Sequence, residues 1–413
     1  MQRRDFLRLA GAGGAAVLTG QGGAGAAEAA PLETDPSEAL TATESRTAYR
    51  ELIELLEELD SRFLGPEMGI TRPGDVADGH RRVMHDLSGG LDFFFGTEAA
   101  NPFFERIVSP SRKSNGDNPD AIYFRCPVSA KHRYRVRGRT AGAVYTSFTI
   151  ESGTQGGRYP TRVSSDLSDA VFDVAPDGSY ELTLSVEPPE GNEQNWLPLA
   201  SDAGSLTTRH YYEEERCVAG DPRRAVPLTI ERISDPDPAP LQDDAWVAEQ
   251  IRSVARYLRG RTLDGPMRSA ESQPAWVSTV PNVFNPPEKP GDLAFAAVDQ
   301  AYAMAPYVVK PDEALLIEGR FPPCRFANVV LWDRFLQSYD YVNRRISLNR
   351  KQTVMDADGG FRMVLAHRDP GVPNWLDASG RVSGLIYWRF MLPEGEIVTP
   401  RTRLLKLDEV AGS

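Results

Sequence analysis

Apolar positions change their period along this chain, and the changes divide it. From Thr43 to Leu64 they recur at helical spacing, with Ala48, Leu52, Leu55, Leu56, Leu59 and Phe63 on one face. Gly65-Pro66 ends that run, and Thr41 with Glu44 three residues later predicts a capping box at its start. A second helix is predicted from Asp75 to Phe95, where Val76, Val83, Leu87, Leu91 and Phe94 form a stripe. A third runs from Asp243 to Arg259, its acids toward the start and Arg252, Arg256 and Arg259 toward the end, as the helix dipole favours. Elsewhere the period is two. Strands rich in Val, Ile, Tyr, Thr and Phe are predicted at about 121–128, 132–139, 143–151, 179–187, 205–212 and 226–233. Many short strands bounded by turn formers predict a β-sandwich or jelly roll.

The strand pattern occurs twice. Residues 177–197 read DGSYELTLSVEPPEGNEQNWL and residues 358–376 read DGGFRMVLAHRDPGVPNWL. An offset of about 181 residues pairs Gly138-Arg139 with Gly319-Arg320, Tyr145 with Phe326 and Tyr180 with Phe361, far beyond a solenoid unit of roughly 20–50 residues. Small slips bring Trp196 onto Trp375 and Arg209 onto Arg389. The expected fold is therefore mainly β with accessory helices: two tandem sandwich or jelly-roll-like modules from an internal duplication, after a helical N-terminal segment. The expected boundaries are 1–30 for a signal peptide, 31–110 for the helical segment and 111–235 for the first β module. A Pro-rich linker with one helix follows at 236–301, then the second β module at 302–413.

The N-terminus adds an address. Arg3-Arg4 before Phe6-Leu7, a Gly/Ala-rich apolar run and small residues at Ala24–Ala29 resemble a twin-arginine signal peptide. The expectation is export across the cytoplasmic membrane, to the periplasm or beyond, with the twin-arginine translocase as partner. The apolar run is too short to span a bilayer, and no later stretch is long enough. A net charge of −12 argues against a nucleic-acid partner, because phosphate binding needs a basic face. The three cysteines, Cys126, Cys217 and Cys324, show no C-x-x-C spacing and read as packed thiols.

The run YVNRRISLNRKQTVMDADGGFRMVLAHRDPGVPNWLDASG, residues 341–380, with the following Gly384 and Arg389, resembles the bacterial family of domains of unknown function numbered 1214 (DUF1214). The first module's NWLPLASDAGSLTTRHYY resembles it more loosely. The resemblance implies a β-sandwich, frequent export and a frequent companion domain, numbered twelve fifty-four and not evident here. It implies no activity, and no cofactor is identified.

No complete catalytic motif appears. Asp356-Ala357-Asp358-Gly359 lacks the closing ligands of a calcium loop and stands where the first copy has the turn Asp177-Gly178. No nucleophile elbow is present, and His80 and His85 are five apart where helical zinc ligands want four, so no metal site is expected. Asp117 and Asp120 are the best carboxylate pair, with Arg112 and Lys113 nearby, and sit in a turn-forming run. His210 and His367 would serve as bases only if the modules faced each other. Tyr339, Tyr341, Asn343, Arg344 and Arg345 have no counterpart in the first copy and mix aromatic and cationic groups, as a ligand-binding edge does. Two readings follow. One is a module that binds a small molecule or envelope component between or on the sandwiches, with the linker covering the cleft. The other is a hydrolase using Asp117 and Asp120, with His210 as a further candidate and Arg209 or Arg389 steadying charge.

Overall fold

The computed structural model describes residues 42–236, 240–265, 273–291 and 299–412. The predicted signal peptide and Thr41 lie outside the described residues. Helix α1 (Glu44–Glu58) is capped by Thr43, whose hydroxyl accepts from the Arg46 amide at 3.4 Å. Its last apolar turn continues as a π-helical turn, Leu59–Phe63. Helix α2 (Pro73–Gly96) starts with a proline in its first turn, where no amide partner is lost. Helix α3 (Asp244–Arg261) is capped by Asp243, which accepts from the Trp246 amide at 2.9 Å. Leu55, Leu59, Phe63, Val83 and Leu258 join these helices in one cluster, and Phe335 enters it from the second module. Asp86 of α2 is buried between Arg82 and Arg261, and Arg261 donates to it at 3.0 Å.

The remainder is mainly β, in four sheets. The first module holds β1 (Glu105–Arg106), β2 (Ala121–Pro127), β3 (Tyr134–Arg139), β4 (Tyr145–Ser152), β5 (Arg162–Ser168), β6 (Ser179–Ser185), β7 (Trp196–Pro198), β8 (Ala203–Tyr211) and β9 (Leu228–Arg232). The second holds β10 (Gln300–Val308), β11 (Glu313–Gly319), β12 (Phe326–Trp332), β13 (Ser347–Asn349), β14 (Phe361–Ala366), β15 (Trp375–Asp377), β16 (Ser383–Met391) and β17 (Arg401–Lys406). Sheet orders are β1-β2-β8-β4-β5 with β7-β6-β3-β9, then β10-β16-β12-β13 with β15-β14-β11-β17. Apart from the short β1, the second module repeats the first strand for strand, including the parallel pairs β6–β7 and β14–β15. Strands β5 and β7 escaped the sequence pattern. The first is a polar edge strand and the second has three residues inside a loop.

The repeat extends to single bonds. Asn195 donates to the Glu181 carbonyl and Asn374 to that of Arg362, each at 2.9 Å. Trp196 and Trp375, both half-buried, donate from Nε1 to the carbonyls of Ser185 and Ala366 at 3.1 Å. Gly138 and Gly319 lie under the cross-strand rings of Tyr180 and Phe361, and a Cβ would stand 2.3 and 2.7 Å from those side chains. Close approach, rather than an unusual backbone angle, requires these glycines. Asp177-Gly178 and Asp358-Gly359 form matching turns, both glycines at φ +80°. Among the described residues no group of His, Cys, Asp or Glu is arranged to hold a metal, and all three cysteines are free. No described helix is long and apolar enough to cross a membrane.

Candidate functional site

Strand alternation decides what the modules show each other. In β8, Leu206 joins the first sandwich core, while Thr207, Arg209 and Tyr211 line a cavity of about 200 Å³. In β2, Tyr123 and Arg125 line the same cavity, and Cys126 packs in the core. In β16, Tyr387 and Arg389 reach the cavity, as do Tyr302 and Met304 of β10 and Trp332 of β12. The register makes the contributions equivalent. Tyr123 pairs with Arg209 and Tyr302 with Arg389, so each copy presents one tyrosine–arginine pair to the shared space. The helices and the linker close it. His85, Asp86 and Phe93 come from α2, Tyr257 and Arg261 from α3, and Trp276 from the Pro-rich segment.

The wall carries six cationic side chains, Arg112, Lys113, Arg125, Arg209, Arg261 and Arg389, against two carboxylates, Asp86 and Asp117. Acids behind the wall balance part of this charge: Arg112 is paired with Asp92, and Glu151 acts on both Arg125 and Arg209. Asp86 is already held by Arg82 and Arg261. Asp117 accepts from the Ser338 amide at 2.7 Å and from its hydroxyl. Burial raises the Asp117 pKa against the pull of Lys113. Burial also lowers the Lys113 pKa, and its ammonium donates to Ser338 Oγ and the Tyr339 carbonyl, both at 2.9 Å. His85, with Nδ1 3.0 Å from Gln337 Oε1, has its pKa lowered by burial. Arg209 donates to Thr149 Oγ1 at 2.6 Å, and Arg125 lies over the Phe93 ring at 4.1 Å.

Arg389 differs from the rest. It is 5% exposed, and Nη1 donates to the hydroxyls of Tyr123, at 3.2 Å, and Tyr211. Its guanidinium lies 5.3–5.6 Å from the ring centres of Tyr211, Tyr302 and Tyr387. Among the described residues it has no carboxylate partner, and its Nε has no hydrogen-bond acceptor.

The residues singled out in the sequence are dispersed. Asp117 lines the cavity. Asp120 is not part of its wall. It is fully buried, accepting from Asn328 at 2.8 Å and Asn349 at 3.1 Å, and burial pushes its pKa up to about 7 against those amides. Asp117 and Asp120 thus serve different partners. The modules do face each other, but His210 lies on the opposite face of β8, against Phe124 and Phe148, with its pKa pushed down to about 3 by burial. His367 meets the Val309 carbonyl at 2.9 Å. Tyr339 is buried, its hydroxyl 2.8 Å from that of Tyr307. Tyr341, Asn343, Arg344 and Arg345 line a separate groove with residues 214–218 and 220–224. There Asn343 is tied to Asp340 and Arg344 to Asp377.

The family model "Protein of unknown function (DUF1214)" matches residues 126–215. The match falls on the first module, where the sequence resemblance looked looser, rather than on the second. The structure of an uncharacterised protein from Burkholderia cenocepacia is similar at a TM-score of 0.72 and 26% identity, over 90% of this chain and 99% of that one. The VPA0106 protein from Vibrio parahaemolyticus is similar at a TM-score of 0.46 and 9% identity, over 79% of this chain and 98% of that one. Among curated proteins no sequence matches.

Proposed function

We propose that this chain is an exported protein that binds a small organic anion in the cavity between its two β modules. The observation that carries the reading is Arg389, buried on an aromatic wall and lacking a carboxylate among the described residues. A buried charge is costly unless paired, so an anionic ligand is the natural counter-charge. Domain junctions with a few convergent polar groups on an aromatic wall are favoured ligand sites. The hydrolase reading gains no support from the geometry, because the carboxylates do not form a pair and His210 faces away. The test is calorimetric titration of the purified protein with small carboxylates and inorganic phosphate, beside an Arg389→Met variant. Saturable binding lost in the variant supports the reading; no binding of any anion sinks it.

Export rests on Arg3-Arg4, Phe6-Leu7 and the small residues that follow. Changing both arginines to lysine should retain the chain in the cytoplasm with its precursor uncleaved. Normal export of that variant, in cells lacking other translocation routes, would remove the translocase from the account.

A further inference from the structure

The two walls of the cavity differ, and the difference describes the ligand. Apart from Arg389, every cation on the wall comes from the first module, the segment leading into it, or α3. The wall drawn from the second module and its linker is aromatic and apolar: Trp276, Tyr302, Met304, Trp332, Leu336 and Tyr387. Trp332 stacks on Tyr387 with centroids 4.1 Å apart at 27°, and Trp276 sits 5.4 Å from Tyr302 and 6.0 Å from Tyr387. Such a wall receives a flat apolar body by stacking, and rejects one that needs hydration.

Hydrogen bonding narrows the head group. On the aromatic side of this wall, the buried N–H groups Arg389 Nε and Trp276 Nε1 have no acceptor among the described residues and are shielded from water. Each therefore carries the desolvation penalty of an unbonded donor. Both side chains flank the same two rings, Tyr302 and Tyr387. A group that only accepts hydrogen bonds would relieve both once the wall settles on it. The Nη1 side of Arg389 is engaged by tyrosine hydroxyls, which leaves its Nε edge, an edge suited to the two parallel bonds of a planar carboxylate. A volume of about 200 Å³ lies below the roughly 300–1,000 Å³ of drug-sized sites, so the occupant is compact.

We infer that the ligand is an aromatic or conjugated carboxylate, its acid group on Arg389 and its flat body against Trp276, Trp332 and Tyr387. This rests on the anion-binding reading above and specifies its ligand class. The experiment compares benzoate and trans-cinnamate with acetate, inorganic phosphate and the neutral benzamide, by calorimetry and by quenching of tryptophan fluorescence, on the whole mature chain. The aryl carboxylates should bind at least tenfold more tightly than acetate, phosphate or benzamide. Trp276→Phe, which keeps a ring and removes the donor, should weaken them about three- to tenfold, with the rest of the fold intact by circular dichroism. If acetate or phosphate binds as tightly as benzoate, the aromatic body is wrong while anion binding stands. If benzamide equals benzoate, the carboxylate is wrong. Unchanged affinity in Trp276→Phe overturns the placement of the acceptor, and no binding anywhere in the series overturns both proposals.

Discussion

At the scale of single residues, Arg389 and Asp120 are buried for opposite ends. Arg389 is a fixed cation, ionised at any accessible pH, and among the described residues it is held only by tyrosine hydroxyls and ring faces. Replacing a poorly compensated buried charge by an apolar side chain of similar length is often neutral or stabilising. Arg389→Met should therefore leave unfolding free energy unchanged or raise it by up to about 3 kcal/mol, while anion binding is lost. A drop of several degrees in melting temperature would instead make Arg389 a structural strut. Asp120 responds to pH. Burial pushes it up to about 7, and Asp166, Asp169 and Asp333 each to about 6. A carboxyl whose folded pKa exceeds its unfolded value holds its proton better when folded. Its contribution is complete below about pH 4 and is lost as pH rises from there through 6 to 7, so each such carboxyl should lower stability across that window by about 1–4 kcal/mol. Asp120→Asn cannot titrate. Whatever constant cost its amide brings against Asn328 and Asn349, the gap to the parent should narrow as pH rises from about 4 to about 7 and hold steady above that. Urea denaturation across pH measures both curves, and a constant gap would show that Asp120 titrates normally.

At the scale of elements, the two copies of the Asn-Trp-Leu anchor make the same bonds in the same place. Each tryptophan is only half-buried, so its removal costs packing and one hydrogen bond rather than a full core ring. Trp196→Ala and Trp375→Ala should each destabilise by about 1–3 kcal/mol, and nearly additively, because the anchors sit in different sheets. Chemical denaturation of the two single variants and the double variant tests this; a strongly sub-additive double variant would mean the modules unfold separately. These anchors, the paired glycines and the Asp-Gly turns were legible in the sequence because duplication repeated a local requirement. The helices were legible for a different reason, since apolar stripes of period 3.6 survive without tertiary context. Strands β5 and β7 were not, because an edge strand with polar faces and a three-residue strand carry too little pattern. The cavity wall was harder still. Arg209 and Arg389 align between the copies, and the sequence offers them as groups steadying charge for a carboxylate pair, whereas both face the shared space. The readable signal was an arginine set mid-strand between aromatic or hydroxyl neighbours two positions away, Thr207 and Tyr211 in β8, Tyr387 in β16. The 339–345 run drew attention by composition, but Arg344 is paired with Asp377, Asn343 is bonded to Asp340, and Tyr339 and Tyr341 are buried.

At the scale of the whole molecule, the sequence suggested modules joined by a linker, and the packing ties them more closely. Ala121, Tyr123, Tyr145 and Tyr211 of the first module share a cluster with Phe326 and Met391 of the second. Asn118 exchanges hydrogen bonds with Asn328 across the same junction, and Asp120 accepts one from the same amide. Helix α3, read as part of the linker, packs on α1 and α2, and Arg261 at its end reaches Asp86 and Ser114. Residues Thr43–Ser413 accordingly cluster as one unit. Neither module can open without exposing the tyrosine faces and the charged wall that the other covers. Unfolding should therefore be a single cooperative transition by scanning calorimetry, with calorimetric and van't Hoff enthalpies in agreement. A ligand held between the modules contacts both, so it should raise that one transition as a whole. The rise should follow the logarithm of ligand concentration, about 2.7 kcal/mol at a hundredfold excess over Kd. Two resolved transitions, with only one of them moved by benzoate, would place the ligand on a single module and show that the junction is a contact surface rather than a shared site.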